Sequence, residues 1–144
     1  MFDTLLNPNW LAILVAGVGA MVVGMVWYSP AVFGNKWAKL EGMSEAKMAE
    51  NKKKGMGGMA KQLIAMFVSA LIGAVILAFV LKALSVSSVD NAILVAILVW
   101  LGFSVPSTIS DWLFGGKSFQ LFSLKTLETL VTFVVMGIIL TLWM

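Results

Sequence analysis

From Trp10 to Tyr28 the chain runs 19 residues without a charged side chain. It does so again over 20 residues from Gln62 to Leu81 and over 20 from Asn91 to Ser110. A fourth stretch, Thr129 to Met144, has 16, and it reaches full length if its helix starts near Leu124. An α-helix rises about 1.5 Å per residue, so 19 or 20 residues cover the roughly 30 Å of bilayer hydrocarbon. Buried helices of water-soluble proteins rarely run so far without a charge. Composition agrees, with 60% of residues hydrophobic and 12% charged, against about 25% charged in soluble domains. The expected fold is an all-α integral membrane protein: one membrane domain over residues 1–144, a four-transmembrane-helix bundle. Its spans fall at about 10–28, 62–81, 91–110 and 124–143, with a cytosolic connection at 30–60.

The first span does not read as a secretory signal. Only Asp3 carries charge before it, and its apolar run exceeds the 7–15 residues or so of a signal core, so it is expected to remain as a helix. Direction follows from lysine placement. Lys36, Lys39, Lys47, Lys52, Lys53, Lys54 and Lys61 fall in the first connection, Lys117 in the third, and Lys125 just inside the fourth span. Only Lys82 falls on the other side. The positive-inside rule then places connections one and three in the cytoplasm of a bacterium, with both termini outside it. Trp10, Trp27, Tyr28, Trp112 and Trp143 stand at span ends, where amphipathic rings prefer the headgroup level.

The first connection is expected to hold a short helix capped by Ser44, carrying Glu45 in its first turn and Lys52–Lys54 in its last, and ended by Gly55. Phe33, Trp37 and Leu40 recur at helical spacing, as in a segment lying on the membrane surface. Lys52, Lys53 and Lys54 suit anionic lipid headgroups, although such a run more often forms a solvated helix end. The chain has no cysteine, no histidine and no arginine. Thiolate chemistry, histidine- or cysteine-ligated zinc, imidazole acid–base work and bidentate guanidinium clamps are thereby excluded. Met43, Met48, Met56 and Met59 have the thioethers that copper(I) favours, but their spacing is irregular and no stronger ligand stands beside them. No cofactor or metal site is expected, and no nucleophile–base pair or phosphate loop supports an enzyme.

A motif occurs twice. Residues 27–37 read WYSPAVFGNKW and residues 110–119 read SDWLFGGKSF. Aligned without gaps, Ser29, Phe33, Gly34, Lys36 and Leu40 fall on Ser110, Phe114, Gly115, Lys117 and Leu121, and Asn9 falls on Asp90. One reading is a tandem two-helix repeat, two helices plus two in parallel, related by an axis along the membrane normal. The other is convergent interface chemistry. Gly34 and Gly115 would allow positive φ where the chain turns, Phe33 and Phe114 would anchor the apolar edge, and Lys36 and Lys117 would reach the headgroups. Pro30 adds a break, because Ser29 before it is biased out of helix.

The N-W-L-A start at Asn9–Ala12, the block W-Y-S-P-x-x-F-G-x-x-W at Trp27–Trp37, and the late L-F-G-G-K motif closed by L-x-L-W resemble the bacterial domain-of-unknown-function family 1761. The resemblance covers essentially the whole chain. It implies a small four-helix inner-membrane protein without an assigned activity. Where that family places a histidine early in its last helix, this chain has Lys125, Thr126 and Glu128, so no imidazole role carries over.

Helices in lipid approach closely only where small residues face one another. The first span sets Ala12, Ala16, Ala20 and Gly24 four apart; the second offers Ala65, Ser69 and Gly73, and separately Ala70, Ala74 and Ala78. Two such faces on one helix suggest a partner within the chain and another outside it, as in a homo-oligomer. Polar groups form two stripes at i, i+3, i+4, i+7: Ser104, Ser107, Thr108 and Asp111 on the third helix, and Lys125, Glu128, Thr129 and Thr132 on the fourth. Pro106 within the first stripe frees the carbonyl of Gly102 and introduces a kink. Trp100, in mid-span, needs an acceptor for its indole N–H and should face a neighbouring helix. The stripes admit two readings. They could line a polar vestibule of a small transporter or channel component, with Asp111 and Glu128 as cation or proton sites. Alternatively they serve as interhelical glue, with Lys125 paired to Glu128, in a protein of structural or interaction role.

Overall fold

The computed structural model describes Asp3 and residues 7–143, apart from the side chain of Met56, one of the four methionines weighed as copper ligands. Helix α1 spans Trp10–Trp27, α2 Gly34–Leu40, α3 Glu45–Gly58 and α4 Ala60–Ala83. Next come α5 Val89–Val99, a π-helical turn Trp100–Ser104, α6 Val105–Phe114 and α7 Phe119–Leu142. Helices α5 and α6 and the turn between them make one 26-residue helix, so four helices are long and apolar enough to cross a membrane. Their exteriors are apolar as well: Trp10, Leu14, Ile64, Ile72, Leu98 and Phe103 are among many large side chains left exposed. Such a continuous apolar surface fits acyl chains and would drive aggregation in water.

Side chains start the helices where the sequence supplies them. Asn9 accepts from the Ala12 N–H at 3.1 Å, Ser44 from Lys47 at 3.2 Å, Ser88 from Asn91 at 3.4 Å and Ser118 from Leu121 at 3.2 Å. Each satisfies an amide that the helix itself leaves open. The third spanning helix runs to Phe114, past the expected Ser110, and the fourth begins at Phe119, five residues before the expected Leu124. Only Gly115 to Ser118 connects them. In α3 the helical path breaks at Gly55, whose φ is 56°.

Helix α1 packs against α4 and α7, and α7 also packs against α5. No comparable packing joins α4 to α5 among the described residues. The core lies toward the end away from most lysines: Ala12, Ala16, Ala20, Ala74, Leu77, Leu81, Ala92, Met136 and Leu140 are all buried together. There the side-chain amide of Asn9 also donates to the Trp143 carbonyl at 3.0 Å. On α4, Ala74 and Ala78 of one small-residue row turn into this core, whereas Ala65 and Ser69 of the other lie exposed. Two glycines outside the four-spaced rows also meet neighbouring helices closely. A Cβ at Gly17 would stand 2.7 Å from Leu71, and one at Gly19 would stand 2.9 Å from Ile139.

The two motif copies differ in conformation. The first spanning helix ends at Trp27 and Gly34 opens α2, whereas the third continues through Ser110 and Gly115 caps its end. The expected positive φ is absent from both glycines: Gly115 has φ −84°, and the described positive-φ glycines are Gly42, Gly55 and Gly116. Gly34 and Gly115 matter through close approach instead. A Cβ would lie 2.4 Å from the Tyr28 carbonyl oxygen at Gly34 and 2.4 Å from that of Asp111 at Gly115. Asn9 and Asp90 also part company, since Ser88 caps the third spanning helix and Asp90 sits in its first turn. The packing is equally unsymmetric, because the repeat would pair α4 with α5 as it pairs α7 with α1.

Gly34→Ala should therefore lower stability by about 1–3 kcal/mol, the usual range for forced overpacking. Gly102→Ala, where an added Cβ meets nothing within 4 Å, should be neutral or slightly stabilising through lower unfolded-chain entropy. Thermal unfolding of the two variants in detergent checks the contrast.

Candidate functional site

Polar side chains gather at the lysine-rich end, where α2, α6 and the first half of α7 meet. The π-helical turn sets one wall. There the Val105 N–H reaches back to the Trp100 carbonyl, so the helix is wound more loosely one turn before Pro106. Trp100 and Ser104 both address α7 from this segment. The Trp100 indole donates to the Thr126 carbonyl at 2.7 Å, as its mid-span position required. The Ser104 and Thr129 hydroxyls lie 3.2 Å apart. Since Thr129 donates to the Thr126 carbonyl at 2.7 Å, Ser104 is the donor of that pair. The buried Thr126 hydroxyl in turn donates to the Phe122 carbonyl at 2.5 Å.

The rest of the third-helix stripe folds onto its own backbone. Ser107 and Thr108 each donate to the Ser104 carbonyl at 2.9 Å. Asp111 lies exposed beyond them, and its carboxylate makes no ion pair among the described residues. Glu128 points elsewhere. Its carboxylate accepts from Thr132 at 2.9 Å and lies 3.7 Å from the position a Cβ on Gly24 would take, hence against α1. The eight stripe residues thus do not converge on one space. A cleft of about 50 Å³ between α6 and α7 is lined by Thr108, Asp111, Trp112, Lys117 and Lys125 among others, and Ser104, Ser107, Glu128 and Thr132 lie outside its lining.

Lys125 does not pair with Glu128. It binds Glu41, the residue that caps the end of α2, at 2.6 Å. The other oxygen of the same carboxylate takes Lys117 at 3.0 Å. Lys125 first, and Lys117 second, hold the Glu41 carboxyl below its ordinary range. One carboxylate thereby ties the first connection to the third and to α7. Sequence reasoning passed over Glu41, although it is the sole acid between Pro30 and Ser44, in a segment otherwise charged by lysine.

Aromatic contacts fold the W-Y-S-P block back on itself. Tyr28 meets Trp37 edge-on at 5.4 Å, and Trp27 meets Phe33 at 4.8 Å. Ser29 closes the end of α1 by donating to the Val26 carbonyl at 2.7 Å, while Pro30 lies exposed in the turn. Phe114, the counterpart of Phe33, is 89% exposed, so the second copy makes no such fold. Lys52, Lys53 and Lys54 lie exposed along α3, with Lys54 bonded to Glu50 at 3.4 Å. Among the described residues no three acids gather as metal ligands do.

The family model described as a protein of unknown function (DUF1761) matches residues 11–141. No curated protein matches the chain, and no solved structure does.

The Glu41 triad carries a pH signature. A lowered folded-state pKa adds stability above the unfolded value, and that stability is lost as pH falls through the folded one. Glu41→Gln should be less stable than the parent at neutral pH by about 1 kcal/mol, two partly exposed ion pairs being weak. The difference should vanish as pH drops from about 4 downward through the lowered pKa. Unfolding midpoints of both proteins in one detergent, measured across that window, decide it.

Proposed function

From a chain that belongs to this family of unknown function, DUF1761, we propose a multi-pass protein of the bacterial cytoplasmic membrane with a structural or interaction role, acting as a homo-oligomer. Both termini lie outside the cytoplasm in this reading, and the lysine-rich end faces inward. The observation that carries it is the unpaired face of α4. Ala65 and Ser69 lie exposed, and an added Cβ at Gly73 would meet a single atom, of Met136, at 4.0 Å. A small-residue row left largely open by its own chain is the surface on which a second backbone comes close in lipid. The hydrogen bonds of Trp100, Ser104 and Thr129 support the same reading, because they occupy groups that a conduction path would need. Lys52, Lys53 and Lys54 would lie against anionic headgroups on the inner face.

A second reading, a small transporter or channel component, draws on Glu128. This carboxylate sits within a spanning helix with Thr132 as its one hydrogen-bond partner among the described residues, and ionisable groups there are often functional.

Ser69→Leu should weaken self-association about tenfold, the effect of roughly 1.4 kcal/mol of overpacking, while leaving helix content intact. Mass measurement in nanodiscs or detergent reads this, and a parent that stays monomeric at high concentration removes the oligomer. Flux in liposomes separates the readings: equal flux in parent and Glu128→Gln, or none in either, excludes Glu128 from transport.

A further inference from the structure

The cleft between α6 and α7 has acid on one wall and ammonium groups on the other. Asp111 lines it together with Lys117 and Lys125. The two lysines are held in place by Glu41 at 3.0 and 2.6 Å. Each ammonium has three donors, and the lysine side chains remain nearly half exposed, at 42% and 47%. With Glu41 between the lysines and Asp111 across from them, the four charges cancel. The cleft is therefore a fixed dipole. An anion can use only the lysines and meets the Asp111 carboxylate beside them, whereas a ligand carrying a negative and a positive group side by side can use both.

Its surroundings select where that ligand comes from. The floor is aromatic, with Trp112 stacked on Phe122 at 5.6 Å and set edge-on to Phe119 at 5.2 Å. Around it Leu113, Phe114 and Phe119 are 56%, 89% and 59% exposed. These side chains suit the apolar edge of a bilayer beside a headgroup-level polar pocket.

We propose that this cleft binds the headgroup of an amine-bearing zwitterionic phospholipid, phosphatidylethanolamine in chemical class, with the phosphate on Lys117 and Lys125, the ammonium on Asp111, and the acyl chains over Phe114 and Phe119. A primary ammonium has N–H donors for the carboxylate. The quaternary ammonium of phosphatidylcholine has none, and phosphatidylglycerol has no cation at all. The lipid site goes beyond the oligomer reading and does not depend on it.

Native mass spectrometry of the full chain, released from nanodiscs of equimolar phosphatidylethanolamine, phosphatidylglycerol and phosphatidylcholine, tests the proposal. The parent should retain phosphatidylethanolamine about threefold over either competitor, in keeping with partly exposed ion pairs. Asp111→Asn, at an exposed position, should level phosphatidylethanolamine with phosphatidylglycerol while helix content stays unchanged. Lys125→Gln should reduce retention of all three. Glu41→Gln, which frees both lysines, should keep or raise total phospholipid binding. Equal retention of the three lipids by the parent, or an unchanged preference in Asp111→Asn, overturns the proposal. Glycerophosphoethanolamine, which has the same headgroup and no chains, should fail to displace the lipid at millimolar excess. Displacement would assign the cleft to a soluble phosphoamine and overturn the lipid assignment. Neither oligomeric mass nor flux enters these readouts, so this proposal and the functional reading fail separately.

Discussion

Hydrocarbon offers no hydrogen bonds, so every backbone amide inside it must find its partner within the helix. That requirement accounts for the length and uniformity of the four spanning helices and for the placement of their irregularities. The side-chain caps fall at helix ends, at Asn9, Ser88 and Ser118. The single interior departure, the π-helical turn at Trp100–Ser104, lies next to Pro106, which cannot donate. Side-chain hydroxyls cluster at that point. Ser107 and Thr108 return their protons to the Ser104 carbonyl, and Ser104 reaches across to Thr129. A polar stripe on a helical wheel looks like a channel lining, but here its hydroxyls are tied to the Ser104 carbonyl and to Thr129.

The spans, the Ser44 cap and the inward placement of Trp100 were legible in the sequence because each follows from a local rule: charge-free length, an oxygen ahead of a helix, an indole that needs an acceptor. The two small-residue rows of α4 were legible as periodicity along one helix, but which of them turns inward was not. The partner of Lys125 was not. Glu128 is three residues away and Glu41 is eighty-four, and only the docking of α2 beneath α7 brings the distant acid nearer. The role of Gly34 was misread on similar grounds. Its local pattern suits a left-handed turn, but the constraint is the Tyr28 carbonyl oxygen, which stands where a Cβ would have to go. The doubled motif shows the limit most plainly. Five shared residues specify a place near an interface, yet Phe33 packs on Trp27 while Phe114 lies in the open.

The two ends of the bundle are held by different forces. Away from the lysines, alanines and glycines let α1, α4 and α7 meet closely, and Leu81 and Leu140 fill the space between them. Dispersion does the holding there, and it needs contact. At the lysine-rich end Ala65 and Ser69 of α4 already stand exposed, and packing toward α7 falls instead to the small helix α2, with Ala38, Leu121 and Leu124 buried. Glu41 secures that end electrostatically through Lys117 and Lys125. An ion triad tolerates water and a loose fit, as interdigitated alanines do not. At this end Ala65 and Ser69 of α4 lie exposed, and the two-signed cleft opens beside α6. The tightly packed end offers neither, so both the oligomer proposal and the lipid proposal rest on surfaces away from it.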